Sequence, residues 1–115
     1  MRYVVLIYGD ETWMDGLSPE EQGAHMQRWG EYDQALREAG VAVAGDALDR
    51  TPTARTVRGR GGKPIVTDGP FAETREQLGG FIELDVDTFD EAVEWAQRCP
   101  VVAHGAAEVR PVVAM

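Results

Sequence analysis

Tyr3-Val4-Val5-Leu6-Ile7-Tyr8 is apolar at every position, and its β-branched and aromatic residues are those of a strand. Successive side chains of a strand point to opposite faces, so this segment needs cover on both sides. The fold must therefore hold it centrally, between two covering layers. At 115 residues the chain has the size of one domain, residues 1–115, with one core.

The segments after this strand set the architecture. Beyond an irregular Gly9–Leu17 stretch, Ser18-Pro19-Glu20-Glu21 forms a capping box with proline at the first helical position, and Gly40 supplies the stop. Between them His25, Trp29, Tyr32, Leu36 and Ala39 recur on one face of a helix spanning Pro19–Ala39. Val41–Leu48 reads as a second strand, with Gly45 marking a bulge or a close backbone approach. Ala54–Arg58, the Gly59–Gly62 turn and Pro64–Thr67 read as an inserted β-hairpin, followed by a loop from Asp68 to Gly80. Phe81–Val86 alternates with period two, and Thr88-Phe89-Asp90-Glu91 opens a second helix that Pro100 ends. Ala106–Val113 is the last strand.

The order is βαβ, hairpin, βαβ, which predicts a two-layer α+β sandwich of the ferredoxin-like type with both helices on one sheet face. The other face is then bare. With Val4, Leu6 and Tyr8 directed at the helices, Tyr3, Val5 and Ile7 would meet water, so a homodimer closed sheet against sheet is expected.

Composition removes several function classes. The net charge of -9 and scattered arginines disfavour nucleic acid and anionic membranes. The apolar run Val4–Tyr8 is far too short to span a bilayer, and no secretory cleavage pattern comes after it, which makes a cytoplasmic location the expectation. The lone Cys99 has no internal disulfide partner and reads as a packing residue. His25 and His104 belong to no metal-ligand spacing, so no metal and no cofactor are expected. The only serine, Ser18, is a cap, which leaves a serine triad without its nucleophile.

Acid-base chemistry or ligand binding survives this elimination. His25 shares its helix stripe with Trp29 and Tyr32, where an imidazole is desolvated beside aromatic walls. Two readings stand for it: a semi-buried structural histidine, or a catalytic group. Asp68 is either an Asx-turn residue tying down Gly69-Pro70 or a carboxylate that orients His25. Trp29 and Tyr32 are core residues or a ligand platform. Phe71 and Glu73 lie in the loop, Glu73 beside Arg75 as a solvated ion pair or a ligand contact. Glu108 and Arg110 share one face of the last strand, as a charge network or as the holder of an anionic substrate group. His104, in a loop, reads as incidental.

Val66-Thr67-Asp68-Gly69-Pro70-Phe71-Ala72-Glu73, then Gly79-Gly80-Phe81 and Glu108-Val109-Arg110-Pro111-Val112, closely resemble the DGPF-type branch of the YCII-related proteins. The resemblance extends to the tyrosine-bearing first strand, the Trp29 helix ending in Ala39-Gly40, and the Asp90-Glu91-Ala92 helix start. It implies a ferredoxin-like fold of the dimeric α/β-barrel group, with no settled reaction. Some relatives are proposed to use a histidine and aspartate pair, which falls here on His25 and Asp68. Family members also look like companions of extracytoplasmic-function sigma factors. Two functions are implied: a small cofactor-free enzyme acting by His25 and Asp68 on a small organic molecule, or a noncatalytic regulatory or ligand-sensing module, with a sigma factor as its partner.

Overall fold

The two-sided apolar strand is β1 (Arg2–Gly9), an inner strand of the computed structural model, which describes residues 1–115. It is followed by α1 (Pro19–Ala39), β2 (Ala42–Ala47), β3 (Arg55–Arg60), β4 (Lys63–Asp68), β5 (Gln77–Asp85), α2 (Phe89–Gln97) and β6 (Ala106–Pro111). Strands β2, β5, β1 and β6 form one antiparallel sheet in that order, and β3 and β4 form a separate hairpin. The chain is thus α+β, with two helices over an antiparallel sheet. No helix is long and apolar enough to cross a membrane.

The helix ends are built as their local sequence dictates. Ser18 Oγ accepts from the Glu21 amide at 3.2 Å while Glu21 Oε1 accepts from the Ser18 amide at 3.1 Å, and Gly40 closes α1 in the left-handed region at φ 68°. Thr88 caps α2 through the Glu91 amide at 3.2 Å. Elsewhere the loop is shorter than its composition implies. Asp68 ends β4, Gly79-Gly80 lie inside β5, and the hairpin turns on Gly61-Gly62.

The phase of β1 is the reverse of the expected one. Tyr3 and Val5 are buried beneath the helices, with Ile7 packed on the same core, while Val4, Leu6 and Tyr8 lie half-exposed on the open face. Alternation within β1 carries no phase information, because both sets are apolar. Its neighbour decides: Tyr3 pairs with Leu84 and Val5 with Ile82, whereas Arg2 and Val4 pair with Asp85 and Glu83. The alternating strand thus directs the non-alternating one. The core comprises Tyr3, Val5, Leu84 and Val86 from the sheet side, Tyr32 and Leu36 from α1, Ala92 and Ala96 from α2, and Cys99 and Val101 from the segment after α2.

Two glycines are required by close approach. A Cβ on Gly80 would stand 2.9 Å from the Asp46 carbonyl oxygen, and one on Gly105 would stand 2.2 Å from that of Tyr8. Gly105 therefore lets the segment after α2 press against the end of β1, where the candidate site forms. At Gly45 the tightness is milder, 3.0 Å to the Phe81 carbonyl oxygen, and the bulge of β2 falls instead between Ala42 and Ala44.

Gly105→Ala is expected to lower stability by at least the ~1–3 kcal/mol of an overpacked site. Gly23→Ala, within α1 and with open space where its Cβ would be, should raise it by about 0.5–1 kcal/mol. Thermal unfolding of both variants checks the pair, and an unshifted midpoint for Gly105→Ala would contradict the packing described.

Candidate functional site

Three segments distant in sequence meet beside the end of β1. His25 projects from α1, Trp13 from a 3-10 turn (Trp13–Gly16), and His104 from the end of a second 3-10 turn (Pro100–Ala103). The rings form one cluster. Trp13 stacks flat on His104 with centroids 3.6 Å apart and planes within 4°, and its ring lies 4.9 Å from that of His25. The two imidazoles are 5.2 Å apart, edge to face.

The hydrogen bonds give the imidazoles different roles. Trp29 Nε1 donates to His25 Nε2 at 3.0 Å, one helical turn along α1. An indole nitrogen can only donate, so His25 Nε2 holds a lone pair and the ring proton of neutral His25 sits on Nδ1. Trp29 is a tautomer clamp. Neither nitrogen of His104 has a partner, and both are withdrawn from solvent. A buried polar atom without a partner costs about 1–3 kcal/mol, which makes His104 the one place in the chain where a hydroxyl gains most by arriving.

Electrostatics keeps both rings neutral. Burial lowers the pKa of His25 from the ordinary 6.5, reinforced by the neighbouring His104 and then by Arg28. Burial followed by Arg28 lowers that of His104. Nearby, burial pushes the Tyr32 phenol up, and its hydroxyl donates to the Trp95 carbonyl at 2.8 Å as a core residue does. Cys99 is buried with its thiol pushed up by desolvation.

The turn that carries Trp13 is tied to the region before the hairpin. Arg50 donates through both terminal nitrogens to the Asp15 carboxylate at 2.7 and 3.0 Å, and Glu11 accepts from the Thr51 amide and hydroxyl at 2.9 and 2.6 Å. Gln77 Oε1 accepts from the Glu11 amide at 2.9 Å. Behind this tether lies a polar groove of about 380 Å³ that includes Thr51, Gly69, Pro70, Glu73, Thr74 and Gln77, so Glu73 lines it.

The other sequence-selected residues are dispersed. Asp68 stands at the root of the hairpin with its side chain 93% exposed and Arg55 Nε 3.7 Å away, making no contact with His25. Gly69, at φ 99°, makes the turn that an Asx bond was expected to make. Phe71 is 73% exposed beneath the Arg58 guanidinium, 4.7 Å from its ring centre. Glu108 and Arg110 pair with each other at 3.1 Å on the open sheet face, opposite the helices. His25, Trp29 and Tyr32 share the helix face; the remaining candidates lie elsewhere. Trp13 and His104 escape a sequence reading because each sits in an irregular segment without periodicity. The available signal was Gly105, whose obligatory contact holds His104 against β1.

The family model described as YCII-related domain matches residues 1–115. An uncharacterized protein of Rhizobium meliloti (strain 1021) is 39% identical over 113 residues, which is 96% of this chain and 91% of that protein. Among solved structures, 5-chloro-2-hydroxyhydroquinone dehydrochlorinase from Burkholderia phenoliruptrix AC1100, complexed with 2,5-dihydroxybenzoquinone, matches with a TM-score of 0.50 over 98% of this chain and 94% of that one. At 11% identity this likeness is one of fold.

Nitrogen-15 NMR should report the Nδ1–H tautomer for His25, and Trp29→Phe should raise its pKa by freeing Nε2. Asp68→Asn should leave the His25 titration unchanged; a coupled shift would contradict the geometry. Because both folded imidazoles titrate below 6.5, their stabilisation is whole above that pH and is lost as pH falls through the folded values. Denaturant midpoints measured between pH 7.5 and 4.5 check the sign.

Proposed function

The chain belongs to the YCII-related family, and from that premise we propose that it is a ferredoxin-like, homodimeric enzyme that moves a proton on a small organic molecule at the His25–His104 cluster. The observation that carries this reading is the asymmetry of the two rings. His25 is clamped by Trp29 as an Nδ1–H donor, while His104 keeps both nitrogens free. Paired groups with opposite hydrogen-bonding roles in a desolvated pocket are what acid-base catalysis needs.

In this mechanism His104 accepts the proton of an acidic hydroxyl, and His25 Nδ1–H donates to the oxygen on which negative charge develops. Trp13 and Trp29 supply flat apolar walls suited to a planar molecule. Access requires Trp13 to lift from His104, a motion of the tethered 3-10 turn. Asp68, the sequence's choice to orient His25, joins the site only if a second copy brings it there. Within its own protomer it serves the root of the hairpin beside Arg55.

The noncatalytic alternative, a partner of an extracytoplasmic-function sigma factor, draws on a different observation. The groove that holds Gly69, Pro70 and Glu73 is polar and lies apart from the imidazoles.

The test is a titration of the ring resonances of both histidines with 2,5-dihydroxybenzoquinone, the compound in the structural neighbour, and with simple phenols. Saturable shifts at His104 and His25 that vanish in His104→Phe support the enzyme reading. Once a turnover assay exists, His104→Gln or His25→Gln should each cost about 10²–10⁴-fold in rate. Unmoved histidine resonances with saturable shifts in Glu73 and Thr74 would transfer the function to the polar groove.

A further inference from the structure

The β3–β4 hairpin contains no buried residue. A two-stranded hairpin alone in water is at best marginally stable, so this one needs a surface to lie on. Its two faces differ. The cross-strand partners Val57 and Val66 are 63% and 60% exposed and share a face with Gly59, Pro64 and the Arg55–Asp68 pair, whereas Arg58, Arg60 and Lys63 lie on the other with Ile65.

The charge is distributed just as unevenly. Residues 55–68 hold four cations and one acid, a charge of +3, so the remainder of a chain of net charge -9 carries -12. The hairpin is a cationic arm on a strongly acidic body. Such a body attracts the arm of another copy of the same chain.

Shape and area point the same way. The radius of gyration is 16.1 Å, against about 13 Å for a compact domain of this length. The accessible surface is 8087 Å², against about 6,200 Å² for a compact monomer of this mass. The excess of roughly 1,900 Å² is more than twice the ~800 Å² that each partner gives to a standard interface, which is room for both a sheet face and an arm. On the open sheet face Val4, Leu6, Tyr8 and Phe81 are interleaved with the Arg2–Glu83 and Glu108–Arg110 ion pairs, Glu83 and Arg110 flanking Val4 from the two neighbouring strands.

We propose that the β3–β4 hairpin is an arm that lies on a second copy of this chain, its Val57, Pro64 and Val66 face against that copy and its net positive charge drawn by that copy's net negative charge, continuing the interface made by the open sheet faces. This rests on the homodimer put forward above and adds to it the element that holds the two copies together. It also gives the signature turn a physical role: Gly69-Pro70, at the root of β4, sets the direction in which the arm leaves the body.

The experiment combines sedimentation of the full chain from 1 to about 100 μM with hydrogen exchange of peptides covering residues 55–68, at both ends of that range. The expected result is a dimer whose arm amides are protected at high concentration and exchange freely on dilution. Val57→Asp/Val66→Asp should weaken the dimer at least about tenfold, and Arg58→Glu/Arg60→Glu should do so in a salt-dependent manner, circular dichroism remaining unchanged. A wild-type dimer with unprotected arm amides and an unaltered dissociation constant in both variants would overturn the arm while leaving the dimer. A monomer at every concentration would overturn both. Arm protection that appears only on adding duplex DNA, without self-association, would also overturn the proposal by making the arm a polyanion contact.

Discussion

A central strand that is apolar on both sides, in a sheet roofed by helices on only one, is the constraint on which the rest of this structure depends. Helix cover requires β1 to commit one of its two apolar sets to the core, and pairing with β5 selects Tyr3, Val5 and Ile7. Val4, Leu6 and Tyr8 are then left over. Only twelve of 115 residues are buried, a small core for a chain of this length. Covering the leftover face adds apolar burial worth about 25 cal/mol per Å² without altering any element already formed.

That same commitment places the imidazole cluster. The helix side of the sheet is the dry side, so the two imidazoles that reach it are desolvated there and kept neutral. Gly105 brings His104 against the end of β1, and Trp29 settles which nitrogen of His25 carries the proton. The Asp68–Phe71 turn, with Asp68 and Phe71 exposed, stands at the base of the hairpin instead. The imidazole cluster and the Gly69-Pro70 turn thus occupy different parts of the chain, joined through Glu11, Thr51 and Gln77.

Much of the fold was legible because its signals are local. The Ser18–Glu21 box, the Gly40 stop, the Thr88 cap and the alternation of Phe81–Val86 each act within a few residues. The phase of β1 was not legible, since a strand apolar on both faces carries no preference and the information resides in β5. Nor was the cluster: Trp13 and His104 come from opposite ends of the chain and meet only through sheet pairing. The His25–Asp68 pairing expected from sequence depended on a loop folding back toward α1. Continuation of β4 through Asp68 carries that carboxylate outward with the hairpin.

We propose that the native unit is two copies closed over the bare sheet face. Calorimetric unfolding over a hundredfold range of protein concentration tests it most directly, because folding coupled to association makes the midpoint depend on concentration. For a dimer the midpoint should rise steadily with the logarithm of concentration in one cooperative transition. A midpoint independent of concentration, with a monomer's mass in solution, would contradict it.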